Sequence, residues 1–369
     1  MVFPRSVLNL VLRELDLFVS FSKRDWSASF GPSLIFSIGA MRTPRAGPTS
    51  TSIFSRYLFL LLWTALYIYF FDLLNQIIGL AEDRINKPDR PLPQGKVTIT
   101  GAKLRCAAVL TAFLSMSLYY PSVLPETICW ALTTAFLCLT PAGQHWFGKN
   151  CIGMTAGSWA LLSTSWKAIA PATTQSKHIV CAIALWVGLV MHIQDLRDAK
   201  GDAVIGRKTL PLVFGERAGR AIITFCLLPL GFCVLWLGGV TQSGWHILAA
   251  IHLYLAWRVM QRSAGARYDH TTYMVRRVFL HCLTMRLTWT VPDLHIHTMP
   301  NPSIHCSKIP RAESSPPSES DLEPCARSTD NRKLEYDPSF LLSNHYSPIG
   351  CRRNVAYYLY QRTKQSYHP

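Results

Sequence analysis

The chain contains 369 residues, of which 49% are hydrophobic and 16% are charged, with 37 Lys and Arg against 21 Asp and Glu. Soluble domains carry about a quarter charged residues, so this composition argues against a soluble enzyme, a disordered chain and a small disulfide scaffold. The formal charge of +16 is compatible with nucleic-acid binding, but long apolar runs between basic stretches are typical of a membrane protein, and we predict no nucleic-acid partner.

The apolar runs predict an all-α, polytopic transmembrane bundle over residues 28–290. Residues 1–27 are expected to form a cytosolic N-terminal segment, because charged residues interrupt any signal-peptide core. A hydrocarbon core of about 30 Å requires about 20 apolar residues of helix. Runs near that length predict eight transmembrane helices, the first of them the weakest, at about 28–41, 57–80, 101–120, 124–141, 151–170, 178–194, 218–240 and 244–261.

The second predicted helix ends in a polar segment that runs into a Pro-rich loop. Asn75 and Asp83 are eight residues apart and Glu82 precedes Asp83, so the three side chains share roughly one helix face. Lys87 and Arg90 follow in the loop. Acidic side chains at membrane depth are costly and usually functional.

The sixth predicted helix ends in a second polar segment. Asp195, Asp198 and Asp202 fall at i, i+3 and i+7, which again places them on one face of a helix. Arg207 and Lys208 follow shortly after them.

Two helix ends that carry carboxylates would repel each other unless cations lay between them. Oxygen ligands suit Mg²⁺, which proteins bind through a few carboxylates, waters and substrate phosphates. We therefore predict a magnesium site with the candidate ligands Asn75, Glu82, Asp83, Asp195, Asp198 and Asp202. The phosphate oxygens of an anionic diphosphate would be bound by four basic residues, namely Lys87, Arg90, Arg207 and Lys208. An apolar tail on this ligand would lie among the helices.

Each feature also has a simpler interpretation. A single acidic cluster at a helix end is often a solvated interfacial charge, but two clusters in the two most basic segments favour a shared site. The four basic residues could instead serve only as topology signals. The aromatic residues at positions 63, 67, 69, 119, 120 and 130 are expected to be interface and packing residues rather than the lining of a cation site.

The distribution of basic residues predicts the orientation in the membrane. The two polar segments carry six Lys and Arg each, whereas the turns at 121–125 and 238–244 carry none. Cytosolic loops are enriched in Lys and Arg, so both polar segments are expected on the cytosolic face, with the endoplasmic reticulum as the expected location.

A ninth apolar span is due after Met274, but three arginines interrupt it, at positions 276, 277 and 286. Residues 291–369 contain 10 Pro and 11 Ser in 79 positions and are expected to form a disordered tail. One hypothesis is that an unspliced intron or a changed reading frame begins at Val275, because a valine codon begins with GT, as introns do.

The two polar segments resemble the motifs of the UbiA superfamily of membrane prenyltransferases, and the resemblance covers about residues 15–275. The matching residues are Asn75-x3-Gly79-x3-Asp83 with the loop 86–95, and Asp195-x2-Asp198-x3-Asp202 with residues 206–211. The resemblance implies nine transmembrane helices around a cavity in which the two motifs hold Mg²⁺ and a prenyl diphosphate. Gly79 stands where the family usually has Asp, and Glu82 is expected to supply the missing carboxylate.

The Glu-Asp-Arg-x-Asn-Lys-Pro form of the first motif is similar to fungal members, among them membrane terpene cyclases. This resemblance implies an enzyme of secondary metabolism that ionises farnesyl diphosphate and cyclises it to a bergamotene-like sesquiterpene, with downstream pathway enzymes as further partners. The catalytic residues implied are Asn75, Asp83, Asp195, Asp198 and Asp202. One alternative is a prenyltransferase that moves the prenyl group to an aromatic acceptor. A transporter or structural membrane protein is the alternative outside enzymes.

Overall fold

The computed structural model describes residues 5–42, 50–240, 244–261 and 265–290. The described residues form no β-strand, which agrees with the all-α prediction, and the predicted tail at 291–369 lies outside them. Their α-helices are α1 (Arg5–Ser22), α2 (Trp26–Met41), α3 (Ser50–Ile78), α4 (Leu80–Asn86), α5 (Ile99–Tyr119), α6 (Leu124–Leu139), α7 (Thr155–Lys167), α8 (Thr174–Val190), α9 (His192–Val204), α10 (Leu210–Phe214), α11 (Glu216–Ile222), α12 (Leu228–Leu237), α13 (Trp245–Met260) and α14 (Gly265–Thr290). Two π-helical turns precede α7 and α12, at Phe147–Met154 and Ile223–Leu227.

Every apolar run predicted to span the membrane contains a helix. Within the described residues, five stretches are both long and apolar enough to cross a bilayer, and these are Ile53–Ile78, Ile99–Tyr119, Pro121–Leu139, Thr174–Val204 and Glu216–Leu237. The molecule is thus a helical bundle with several membrane spans, while the number of eight or nine spans stays a prediction.

Local sequence explains where several helices begin. Thr98 caps α5, since its hydroxyl accepts a hydrogen bond from the backbone N–H of Gly101 at 3.1 Å. Thr173 and Ser176 form a reciprocal capping box at the start of α8. Gly79 separates α3 from α4, so the first polar segment is a broken helix rather than a continuous one.

The main apolar core joins helices from both halves of the chain. Phe36 of α2, Leu162 of α7 and Ile183 and Trp186 of α8 are buried together with residues of α12, α13 and α14. Close packing of such side chains holds membrane helices together, because lipid offers no hydrophobic driving force between them.

The N-terminal segment contains the helix α1, which packs on the bundle. Leu17 and Phe21 of α1 are buried against Leu73 of α3 and Ala102 of α5. These contacts place α1 beside the end of α3, where the first polar segment begins.

The last described helix, α14, occupies the region where the sequence makes a ninth span doubtful. It packs against α2, α9 and α13. The Phe279 ring is buried edge-on against the Trp186 ring, with centroids 5.2 Å apart and an interplanar angle of 77°. The helix continues through Val275 without a break, so residues on both sides of that position belong to one packed element.

Candidate active site

A cavity of about 800 Å³ lies among the helices and is lined by residues of both polar segments. It contains eight of the ten residues predicted for the site, namely Asn75, Glu82, Asp83, Lys87, Arg90, Asp198, Asp202 and Arg207. The contact of α4 with α9 brings the two segments together. Asp195 and Lys208 do not line the cavity.

The first polar segment is organised around the carboxylate of Asp83. Arg90 donates from Nη1 to both oxygens of this buried carboxylate, at 2.8 and 2.7 Å. Lys87 Nζ lies 3.8 Å from Glu82 Oε1 and 4.0 Å from Asp83 Oδ1. Burial and the neighbouring Arg90 lower the pKa of Lys87, while the carboxylates oppose that shift. The first polar segment therefore lines the cavity with acidic and basic groups that are paired with each other.

Arg207 connects the two segments directly. Its Nη2 lies 3.1 Å from Glu82 Oε2, and its Nη1 lies 3.0 Å from Asp202 Oδ1. Its Nε donates to Gln144 Oε1 at 2.7 Å, which fixes the plane of the guanidinium. The other oxygen of Asp202, Oδ2, is buried and accepts no hydrogen bond from the described residues.

The helix α9 turns one polar face to the cavity. Gln194, Asp198 and Asp202 lie on this face, spaced four residues apart. Arg197 donates from Nε and Nη2 to the two oxygens of Asp198, at 2.7 Å each. Gln194 Nε2 donates to Asp198 Oδ2 at 3.2 Å. The carboxylate of Asp198 is therefore held in one orientation beside the cavity.

Asp195 has a different place from the one predicted. Its side chain does not line the cavity and instead lies against the π-helical turn Phe147–Met154. The carboxylate is fully buried, at 0% exposure, and accepts from Lys149 Nζ at 2.8 Å and Asn150 Nδ2 at 2.7 Å. Although burial opposes the charge on Lys149, the carboxylates of Asp195 and Asp202 raise its pKa. Asp195 therefore lies outside the cavity lining and pairs with Lys149, which does line the cavity, and its role as a metal ligand stays a prediction.

Lys208 also differs from its predicted role. Its side chain is exposed, and its backbone pairs with the segment before the first π-helical turn. Trp146 N donates to Lys208 O at 2.8 Å and Lys208 N donates to Gln144 O at 3.2 Å. These two bonds orient the neighbouring Arg207 toward the cavity, so Lys208 contributes through its backbone.

Beyond the polar residues, the cavity is apolar and aromatic. Tyr67, Phe71 and Trp130 line it together with aliphatic side chains. The rings of Tyr67 and Trp130 are stacked at 4.2 Å, and Trp130 Nε1 donates to Tyr67 O at 2.8 Å. Since α3 rises by about 1.5 Å per residue, Tyr67 lies about 12 Å from Asn75 along the helix. For Tyr67 and Trp130, the interpretation as interface and packing residues was incomplete, because they also line the cavity.

The oxygen donors at the polar end have the chemistry that Mg²⁺ requires. Asn75, Glu82, Asp83, Asp198 and Asp202 line one cavity, and the buried Asp202 Oδ2 has an unused acceptor site. Within the described residues, no three His, Cys, Asp or Glu side chains converge on a single metal position. The donor set therefore fits an ion bound through one or two carboxylates and the oxygens of a ligand, rather than an all-protein cage.

Several cavity residues lie outside the motifs on which the sequence prediction rests, and two of them are the basic residues Lys149 and Arg276. Lys149 comes from the π-helical turn Phe147–Met154, a conformation that is frequent at functional sites. Arg276 comes from α14. The sequence did contain a signal for Arg276, because this arginine interrupts an apolar run. Such an arginine indicates either a functional residue or the absence of a membrane span.

The sequence matches the model of the UbiA prenyltransferase family over residues 34–283. This match continues past Val275 to residue 283, and the hypothesis of an unspliced intron or a changed reading frame at Val275 stays a prediction. Two relatives from Hericium erinaceus are each 54% identical over 280 residues. They are the diterpene cyclase eriG, matched over 76% of this chain and 90% of the relative, and the polyprenyl transferase eriF, matched over 75% and 95%.

The fold is also that of a solved UbiA homologue. A structure from Archaeoglobus fulgidus bound to GPP and Mg²⁺ superimposes with a TM-score of 0.56 at 12% identity, covering 74% of this chain and 99% of the homologue. The family match, the two relatives and this fold confirm the resemblance that the polar motifs indicated. The chain therefore belongs to the UbiA prenyltransferase family, as a membrane enzyme of the terpene cyclase or prenyltransferase type.

Proposed function

We propose that this protein is a Mg²⁺-dependent terpene cyclase that ionises a prenyl diphosphate and cyclises the resulting allylic cation. The observation that carries the proposal is the continuity of the cavity, in which charged residues at one end meet stacked aromatic rings at the other. Such a cavity matches a ligand with an anionic head and a long apolar tail. Aromatic faces attract cations, by up to about 2 kcal/mol where water is excluded.

The reaction breaks the bond between carbon 1 and the diphosphate oxygen, and the electron pair leaves with the diphosphate. In this proposal Arg90, Arg207 and Lys87 would bind the departing anion, while Asp83, Asp198 and Asp202 would hold Mg²⁺, and all six residues line the cavity. When bound, the metal neutralises charge that develops on the leaving group. Another double bond of the prenyl group then captures the cation beside Tyr67 and Trp130. Loss of a proton from the cyclised cation gives the hydrocarbon.

The length of the prenyl chain is the finer part of the proposal. The sequence motifs favour farnesyl diphosphate, with 15 carbons, through their resemblance to sesquiterpene cyclases. The relative eriG is named a diterpene cyclase, which favours a substrate with 20 carbons. We therefore propose geranylgeranyl diphosphate as the preferred substrate and farnesyl diphosphate as the alternative.

The decisive experiment supplies the purified protein with each prenyl diphosphate and Mg²⁺, without any acceptor, and analyses the extract by gas chromatography and mass spectrometry. A cyclic hydrocarbon should appear, chelation should abolish it, and added Mg²⁺ should restore it. Asp83→Asn and Asp198→Asn should each slow turnover by about 10²-fold or more, because developing charge on the leaving group loses its compensation. The exposed residue Asp16 supplies a control, and Asp16→Asn should retain full activity.

The prenyltransferase is the second candidate, and the 54% identity with the polyprenyl transferase eriF favours it. It predicts no hydrocarbon in the acceptor-free reaction and a prenylated product once a phenolic acceptor is added. That result would overturn the cyclase while retaining the diphosphate site. Full activity of both Asp variants, with normal expression, would overturn the metal site itself.

A further inference from the structure

Arg276 is a buried cation that forms no ion pair with a carboxylate of the described residues. Its side chain is 1% exposed, and its Nε and Nη1 have no acceptor among the described residues. It lines the same cavity as Arg90 and Arg207. An arginine keeps its proton under all physiological conditions, so it cannot relieve burial by becoming neutral.

The position of Arg276 is enforced by the packing of α14. Asp269, on the same helix, accepts from Arg220 Nη1 at 2.9 Å and from Arg220 Nη2 at 2.7 Å, and both residues are buried. This two-bond contact sets the rotation of α14 about its axis. One face of α14 then lines the cavity, and it consists of residues 273, 276, 277 and 280. This face presents two arginines to the cavity and, one turn further on, an apolar side chain.

Three guanidinium groups surround the ring of Tyr273. The Cζ atoms of Arg197, Arg276 and Arg277 lie 4.5, 5.2 and 5.2 Å from its centroid. Arg197 is compensated by Asp198, and Arg277 lies 3.8 Å from Asp25 Oδ1. Within the described part of the chain, Arg276 lacks such a carboxylate, although an unpaired buried charge is strongly unfavourable.

We propose that Arg276 binds the phosphate oxygens of the substrate's diphosphate, so that α14 forms a third wall of the diphosphate site. This inference rests on the proposed function, because it assigns the missing anion to the same ligand. The planar guanidinium suits two oxygens of one phosphate group. Arg90 and Arg207 are largely engaged by carboxylates, so the free donors of Arg276 are available to the anion without breaking an ion pair.

The test measures binding of inorganic diphosphate, with Mg²⁺, to the purified full-length protein in detergent by titration calorimetry. Arg276→Gln should weaken binding by about tenfold, because one charge-assisted contact is lost. Arg276→Lys should bind more tightly than Arg276→Gln, since the charge is retained. Arg267 is exposed on the same helix, and the matched control Arg267→Gln should bind like the wild type.

A structural role for Arg276 predicts a different set of results. Without diphosphate, Arg276→Gln should unfold at the wild-type temperature or above it, because an unpaired buried charge is removed, whereas loss of a structural contact would lower that temperature. An Arg276→Gln variant that binds diphosphate with wild-type affinity would overturn the inference. If Arg207→Gln nevertheless weakened binding, the proposed function would still be supported. If the wild-type protein bound no diphosphate, both the role of Arg276 and the proposed function would be contradicted.

Discussion

At the scale of residues, Arg207 holds together two acidic groups that lie far apart in the chain. It contacts Glu82 across 125 sequence positions and Asp202 across five. Without this cation the two carboxylates would face each other across the cavity and repel. The same contact holds Glu82 at the cavity, and its expected role as the carboxylate that replaces the Asp absent at position 79 stays a prediction.

The contrast between Asp195 and Asp202 predicts two different kinds of defect. Asp195→Asn removes the carboxylate that pairs with the partly buried Lys149 ammonium, and a charge left unpaired in such a place is unfavourable. We expect a clear drop in unfolding temperature for this variant. Asp202→Asn leaves Arg207 paired with Glu82 and should therefore unfold closer to the wild-type temperature. It should still lose Mg²⁺-dependent turnover, because Asp202 Oδ2 accepts no hydrogen bond from the described residues. Thermal unfolding and a Mg²⁺ titration of turnover separate the two, and a stable Asp195→Asn with impaired Mg²⁺ dependence would contradict the assignment.

Replacing an aromatic residue of the cavity, such as Trp130, should lower the rate of the reaction rather than the affinity for the substrate. Trp130→Leu removes a π-face beside the cavity and should lower the turnover number by roughly tenfold to thirtyfold, while Trp130→Phe should lose less. Trp257 is exposed on α13, and Trp257→Leu serves as the control. Steady-state kinetics with product analysis measure the effect, and an unchanged turnover number and product in Trp130→Leu would exclude this ring from the reaction.

At the scale of elements, the break between α3 and α4 shapes the first motif. A Cβ atom at Gly79 would lie 2.9 Å from the backbone oxygen of Asn75, closer than such atoms normally approach. The backbone N–H of Gly79 also donates to this oxygen, at 2.8 Å. The glycine therefore permits the helix to turn toward the cavity with this hydrogen bond intact.

We accordingly expect that restoring the usual family residue does not help this enzyme. Gly79→Asp and Gly79→Ala should both lower turnover by shifting the Asn75 backbone, and the alanine variant isolates the effect of the Cβ atom. Turnover at saturating Mg²⁺ is the measurement. An aspartate variant more active than the wild type would show that a carboxylate at position 79 outweighs the steric cost.

At the scale of the whole molecule, α14 closes the bundle and completes the cavity wall. A chain that stops after Thr290 retains every described residue that lines the cavity and should keep wild-type turnover. A chain that stops after Met274 loses Arg276 and the buried Phe279, and deletion of one large core aromatic alone costs about 3–5 kcal/mol. Membrane expression and turnover of the two truncations test this, and equal activity would show that the second half of α14 is dispensable.

The amino-acid sequence was sufficient to predict the helical membrane class, the helix positions and most of the polar residues that line the cavity. In a membrane, an apolar run of about 20 residues forms a spanning helix, because lipid offers no hydrogen-bond partners for backbone N–H and C=O groups. Spacings of three, four and seven residues also place side chains on one helix face whatever the surrounding packing. Asn75, Asp83, Asp198 and Asp202 could be found in this way.

Which of these side chains reach the cavity depends on the packing of the helices and could not be predicted from their spacing. Asp195 satisfies the same spacing as Asp198, yet packing against the turn at Phe147–Met154 buries it against Lys149. The role of Arg276 depends on the rotation of α14, which the distant Arg220 sets. Helical periodicity is a local property of the chain, whereas the face turned to the cavity depends on contacts between residues far apart in sequence.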